Sequence, residues 1–324
     1  MTAHDQAPIL VFYDKPEEFM PDLKRRFPSF EFALCRTYGE LPHALAEVRP
    51  QIMLGYKFEP KPYPRKEILA SPELKWLSLA FAGVDHLVPW DDSRLTVTNA
   101  AGVASIEMAH YALAAIFGMY QGFSGFFADQ AARKWNYHLI RSSRNATIGL
   151  VGLGHAGREI ARMAKACGLG VVTCRMRPGQ EPAGVDKVYP FDLLHEMLGT
   201  VDVVVVCAAL TPITRDLFGQ AAFAAMRRGS YFVSMSRGAL VQEDALISAL
   251  STGQLAGAVI DVARNEPLST ESPLWSAPNL FITPHTCSEY EGWFRDAALM
   301  FADNLDRWNR GEPLENRVYS DRGY

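Results

Sequence analysis

Three polar residues stand just past apolar, strand-like runs in the second half of this chain. Arg237 lies in VSMSRGALV, Glu266 in DVARNEPL and His285 in FITPHTCS. An arginine neutralises a carboxylate, an imidazolium gives a proton to a carbonyl oxygen, and a carboxylate keeps that imidazolium oriented and charged. The three together would suit reduction of a 2-keto acid. Taken singly, each has a plainer reading: the arginine as a surface residue, the histidine as a structural one. Their shared position joins them, because the carboxyl ends of strands in an open parallel sheet face the ligand crevice.

A second group of residues could hold a dinucleotide. In TIGLVGLGHAGREIA, Gly152, Gly154 and Gly157 stand in G-x-G-x-x-G spacing, after a strand-like run and at the start of a helical pattern. The first glycine permits a tight turn, the second lets backbone approach a pyrophosphate, and the third lets helix and strand pack closely. Free N–H groups at the helix start then face the anion. The triplet alone is a weak sign; strand, triplet, amphipathic helix and second strand in this order point to a dinucleotide loop.

In an NAD-binding unit the second strand usually ends in an acid that accepts from the ribose. Here GVVTC runs into Arg175, with Arg177 shortly after. Arginines can clamp a 2′-phosphate, which would favour NADP(H) and leave NAD(H) at lower affinity. Two charge-assisted contacts at about 1.5–3 kcal/mol each would shift the preference roughly a hundredfold or more. The alternative is a pair of solvated loop charges beside Pro178 and Gly179.

These residues need a scaffold. From Ile9 to about Asn99, short β-rich runs (ILVFY, FEFALC, QIMLGY, WLSLAF, LTVTN) alternate with helical or proline-bearing segments. That alternation predicts a small α/β domain with a parallel sheet. GVASIEMAHYALAAIFGMYQGF reads as a long helix apolar on most faces, the kind buried between layers or subunits. A second α/β unit follows from the glycine loop, with VDVVVVCA, SYFVSM, AGAVIDV and NLFIT as strands. The last helical pattern, WFRDAALMFADNLDRWNRG, could continue the second unit or return to the first.

Composition narrows the classes. With 324 residues, 48% of them hydrophobic, the chain can bury two cores. A formal charge of −4 argues against a surface built for nucleic acid or anionic lipid. Cys35, Cys167, Cys174, Cys207 and Cys287 form no C-x-x-C pair or zinc spacing, so reduced thiols and no metal site are expected. No signal-peptide pattern precedes ILVFY, and YALAAIFGMY and VVVVCAAL are too short to span a bilayer. The expectation is a soluble cytoplasmic protein.

The stretch VSMSRGALVQEDALISALSTGQLAGAVIDVARNEPLSTESPLWSAPNLFITPH resembles the long signature of the D-isomer-specific 2-hydroxyacid dehydrogenases. GLVGLGHAGREIA resembles that family's cofactor loop, and WLSLAFAGVDHL and TNAAGVASIEMAHYALA fit its substrate loop and hinge. The likeness covers nearly the whole chain and is greatest to the glyoxylate/hydroxypyruvate reductase group. It implies an α/β protein of two Rossmann-like or flavodoxin-like parallel-sheet domains. A dinucleotide-binding domain over 103–286 would be inserted into a substrate domain over 1–102 and 287–324. It also implies a homodimer whose contacts include the helix after Val103.

Carried over by position, the resemblance makes Arg237 the binder of substrate carboxylate and carbonyl, His285 the proton donor and Glu266 its partner. Amides of Ala82 and Gly83 would hold the other end of the carboxylate, and those of His155 and Ala156 the pyrophosphate. Asp261 would contact the nicotinamide amide. Trp135 falls where such proteins often place an aromatic near the active site, with a core role as the alternative. The implied activity is NADPH-dependent reduction of a small 2-keto acid to the D-2-hydroxy acid.

Three departures from the family pattern stand out. Arg175 replaces the acid of NAD-using members, CAALT replaces a histidine and proline before Leu-Thr, and TCSEYEGW replaces small residues after His285. Cys287 could be a sensitive thiol beside the substrate or an inert buried one. Rival functions are a cofactor-sensing corepressor and an oxidative dehydrogenase of another small acid, such as phosphite or formate. The complete Arg/Glu/His set and the lack of long disordered tails weigh against the corepressor.

Overall fold

A computed structural model describes residues 8–59, 61–175 and 183–322. It divides into two units, one made of the chain up to Val103 and again from Glu291, the other of Ala104–Tyr290. The second is thus an insertion in the first. In the first unit β1 (Ile9–Phe12), β2 (Phe32–Cys35), β3 (Ile52–Gly55), β4 (Trp76–Leu79) and β5 (Thr96–Asn99) are mutually parallel. Their spatial order, β2-β1-β3-β4-β5, is flavodoxin-like. Helices α1 (Met20–Arg26), α2 (Leu41–Val48) and α3 (Arg65–Ala70) occupy crossovers. Every residue of β1, β3 and β4 is buried, which is why these runs are apolar without alternation.

The second unit opens with α4 (Ser105–Gln121), the long helix expected from its pattern, which stops at Gly122 in the left-handed region. Next come α5 (Phe123–Ala131), β6 (Thr147–Val151), α6 (His155–Ala166), β7 (Gly170–Arg175), β8 (Lys187–Pro190), α7 (Leu194–Leu198) and β9 (Val203–Val206). The chain continues through α8 (Gln220–Ala225), β10 (Ser230–Ser234), α9 (Glu243–Ser251), β11 (Leu255–Ile260) and β12 (Leu280–Ile282). All seven strands are parallel in the order β8-β7-β6-β9-β10-β11-β12, the doubly wound arrangement with its switch between β6 and β9. Strand β9 is four consecutive buried valines in mid-sheet, where stiff β-branched side chains pack well. Helix α6 buries Gly157, Ile160, Ala161 and Ala164 on one face, against Ala109, Ala112 and Ile116 of α4.

The chain then returns as α10 (Trp293–Arg310) and β13 (Arg317–Val318). The last helix covers the first unit: Ala297, Ala298, Phe301, Ala302 and Leu305 enter the core that holds Ile9, Ile52 and Trp76. Trp76 stacks on Phe301 and Trp308, with centroids 5.2 and 5.5 Å away, and its indole N–H reaches Thr98 Oγ1 at 2.9 Å. Strand β13 pairs antiparallel with β5, so the first sheet is not wholly parallel. A two-residue strand carries too short a pattern to read from sequence. Among the described residues no helix is long and apolar enough to cross a membrane, and no acidic, histidine or cysteine cluster could hold a metal ion.

Candidate active site

The glycine loop joins β6 to α6, and its three glycines meet different surroundings. Gly152 has φ +101°, and a Cβ there would lie 2.7 Å from the Ala208 backbone. A Cβ on Gly157 would lie 2.5 Å from the Gly152 carbonyl oxygen, whereas one on Gly154 would meet nothing within 4 Å. The first and third glycines are therefore demanded by the protein's own packing, and the second leaves open backbone to a ligand. His155 and Ala156 open α6, so their amides have no acceptor within the helix. Partial desolvation, then the Arg158 charge, hold the His155 imidazole below the ordinary histidine range.

Cys207 lies beneath this loop and donates its thiol hydrogen to the Gly152 carbonyl at 3.0 Å. Burial pushes its pKa up to about 12, so it stays a neutral donor. Arg175 is the last residue of β7, next to Cys174, whose carbonyl accepts from the Gly152 amide at 3.4 Å. It is half-buried at the position where an acid would bind ribose. Arg177 lies outside the described residues.

Arg237, Glu266 and His285 follow the carboxyl ends of the neighbouring strands β10, β11 and β12. His285 Nδ1 donates to Glu266 Oε2 at 2.7 Å, while Glu266 Oε1 accepts from the Ala263 amide at 3.0 Å. With Nδ1–H committed to the carboxylate, Nε2 is the nitrogen left to exchange a proton with a ligand. Burial raises the Glu266 pKa, but the His285 bond and the His285 and Arg237 charges outweigh it and hold the carboxyl below its ordinary range. Arg237 donates to the Ser236 carbonyl at 2.8 Å. The structure thus gathers all three residues at one end of one sheet.

His285 sits at φ +57°, a conformation unusual for a residue with a side chain. Asp261, at the end of β11, holds it there. The Asp261 carbonyl accepts from the His285 amide at 2.7 Å. Its carboxylate accepts from Thr283 Oγ1 at 2.6 Å, Thr286 N at 2.9 Å and Cys287 N at 3.0 Å. Because the Thr283 hydroxyl proton goes to Asp261, the Tyr111 hydroxyl, 2.6 Å from Thr283 Oγ1, is the donor to it. The Asp261 residue is 1% exposed. Its carboxylate, expected at a nicotinamide amide, accepts three hydrogen bonds from the loop around His285, a task not legible from spacing. Cys287 is buried and packed in the core, and burial raises its thiol pKa well above the ordinary value.

Gly238 is a further residue that sequence reasoning passed over. A Cβ there would lie 2.0 Å from the Ala263 carbonyl carbon and oxygen, so the Arg237 loop and the Glu266 turn meet backbone to backbone. The signal was present as a glycine directly after the arginine. Ala82 and Gly83 belong to the first unit, just past β4. Asn99 Nδ2 holds the Ala82 carbonyl at 2.6 Å, and among the described residues the amides of Ala82 and Gly83 donate no hydrogen bond. Trp135 is fully exposed, which removes the core alternative for it.

Residues 113–287 match the family model of the D-isomer specific 2-hydroxyacid dehydrogenase NAD-binding domain. A putative 2-hydroxyacid dehydrogenase of Haemophilus influenzae is 30% identical over 292 residues, covering 84% of this chain and 87% of that one. Glyoxylate/hydroxypyruvate reductase A of Serratia proteamaculans is 28% identical over 289 residues, covering 85% and 88%. The crystal structure of an NADPH-dependent glyoxylate/hydroxypyruvate reductase from Sinorhizobium meliloti, with NADP and sulfate, superposes with a TM-score of 0.84 at 26% identity, covering 98% of this chain and 100% of that one. The chain belongs to the D-isomer specific 2-hydroxyacid dehydrogenase family, and is an oxidoreductase with that family's NAD-binding domain.

Replacing Gly238 with alanine should force the two loops apart, at an overpacking cost of about 1–3 kcal/mol. Denaturant unfolding and steady-state turnover check this: the variant should be less stable and lose turnover, and native values for both would contradict the contact.

Proposed function

We propose that this protein reduces a small 2-keto acid of the glyoxylate or hydroxypyruvate type to the D-2-hydroxy acid, with NADPH as reductant. The observation that carries the reading is the Glu266–His285 pair beside Arg237 on an NAD-binding domain. The reductase names of the Serratia and Sinorhizobium relatives support the substrate class. In this reading the unit from Ala104 to Tyr290 binds cofactor and the other binds substrate.

Arg237 neutralises the substrate carboxylate and draws electron density toward the carbonyl oxygen. A bound nicotinamide supplies the hydride. His285 gives its Nε2 proton to the carbonyl oxygen, and Glu266, accepting from Nδ1, fixes which nitrogen faces the substrate. The amides of His155 and Ala156 suit the pyrophosphate, with Gly154 leaving room for it.

Arg175, with Arg177 beyond it, would bind the 2′-phosphate, and the NADP bound in the Sinorhizobium structure supports that choice. Following nicotinamide fluorescence, NADPH should bind much more tightly than NADH, and Arg175→Asp should weaken NADPH by about tenfold or more, the loss of one charge-assisted contact. Equal affinities would rule out a 2′-phosphate role for the arginine. Arg237→Ala should cut kcat/KM for keto acids on the order of a hundredfold, from the ~2–5 kcal/mol cost of breaking a desolvated charge pair. Near-normal turnover on every keto acid would sink the assignment.

The protein should work as a homodimer in the cytoplasm. Helix α5 has no buried residue, and Phe123, Phe127, Trp135, Tyr137, Leu139 and Ile140 are exposed in sequence proximity, a patch that favours a second copy. The five unpaired cysteines suit a reducing compartment. Sedimentation should give a dimer that Phe127→Glu dissociates; a monomer for the unaltered protein would refute this.

A further inference from the structure

Arg264 sits in the turn that carries Glu266, and its contacts reach three other segments. Its amide donates to Glu243 Oε1 at 2.7 Å, at the start of α9. Its guanidinium donates to the Val241 carbonyl at 2.8 Å, in the segment that follows Arg237 and Gly238. The same Nη2 pairs with Asp216.

Asp216 is itself anchored to the Arg237 loop. It stands at φ +56°, a left-handed turn that an aspartate tolerates better than most residues, and its amide donates to the Ala239 carbonyl at 2.9 Å. Two more backbone bonds continue the ladder, Phe218 N to Leu240 O at 2.9 Å and Gln242 N to Phe218 O at 3.0 Å. The segment after Arg237 is thus fixed on one side by the 216–218 strip and on the other by the Gly238 contact with Ala263. Arg264 is the side chain that spans both.

We propose that Arg264 is a positioning residue: by tying the Glu266 turn to the Arg237 loop through Asp216 and Val241, it sets the Glu266 carboxylate against His285. Glu266 has one backbone anchor of its own, the Ala263 amide, and that amide is in the same short turn. Without Arg264 the turn keeps its internal bond but loses its side-chain ties to Val241 and Asp216. The carboxylate then samples positions off the imidazole, and the proton donor loses its orientation while Arg237 still binds the substrate. The kinetic consequence rests on the proposed keto-acid reading; the geometric one does not.

The test compares the full-length protein with Arg264→Gln, Arg264→Lys, Asp216→Asn and the Arg264→Gln/Asp216→Asn double variant. Asparagine keeps the left-handed turn while removing the charge. Two readouts are taken: kcat and KM for keto-acid reduction at saturating NADPH, and the low-field imidazole N–H proton resonance, assigned by its loss in His285→Gln. Arg264→Gln should lower kcat by about tenfold to a hundredfold, the scale of an ångström-sized misplacement, with keto-acid KM and NADPH affinity nearly unchanged. The resonance should disappear in Arg264→Gln, Arg264→Lys should recover part of kcat, and the double variant should be no worse than Arg264→Gln.

An unmoved resonance with unchanged kcat, or losses in kcat and NADPH affinity of equal size, would overturn the proposal. If the unaltered protein turned over no keto acid but the resonance still vanished in Arg264→Gln, the positioning role would stand and the keto-acid reading would fall.

Discussion

The arrangement of His285 and Glu266 at the carboxyl edge of the sheet depends on a buried carboxylate. Asp261 is almost wholly removed from water, and a carboxylate there is tolerable only if its lone pairs are satisfied. Thr283, Thr286 and Cys287 satisfy them, and in doing so bend the chain through the left-handed turn at His285. A strained turn of that kind costs on the order of 1–3 kcal/mol. Hydrogen bonds to a charged group contribute about 1.5–3 kcal/mol each, and the three here act against both that strain and the cost of burying the carboxylate. The imidazole reaches Glu266 because the backbone is held in this conformation. A local oddity of φ thus leads to the His285–Glu266 contact through a chain of named bonds.

The second constraint is close approach of backbone to backbone. In the glycine loop Gly152 presses on Ala208 and Gly157 on Gly152, and after β10 Gly238 presses on Ala263. Each contact brings a loop nearer to its neighbour than any side chain would permit. The cysteine beneath the glycine loop adds to this order, since its neutral thiol donates to the Gly152 carbonyl. The glycine loop and the loops around Arg237 and Glu266 are therefore built from the same device, applied at neighbouring strand pairs, β6–β9 and β10–β11, of one sheet.

Much of this was legible in the sequence because the relevant signals are local. Buried parallel strands read as apolar runs, as in the four valines of β9, and the glycine triplet stands between a strand and an amphipathic helix. Arg237, Glu266 and His285 were found because each follows such a run. The unreadable parts depend on contacts between residues far apart in the chain. The amphipathic pattern of α10 does not say which unit it covers; its partners Trp76 and Ile52 lie more than two hundred residues away. Asp261 gave no hint that Thr283 and Tyr111 would line up behind it, nor Arg264 that Asp216 would meet its guanidinium. The exposed setting of Trp135 belongs to the same class, because burial is a property of the folded surface rather than of an aromatic letter.

The central claim is that His285, held by Asp261 and Glu266, is the proton donor in keto-acid reduction. Its most direct test is a single turnover in which NADPH-loaded protein is mixed rapidly with glyoxylate or hydroxypyruvate and the nicotinamide absorbance is followed. The unaltered protein should consume its bound NADPH in one burst, while His285→Gln, binding NADPH with the same fluorescence response, should leave it unspent. A His285→Gln protein that consumed NADPH at the unaltered rate would contradict the account.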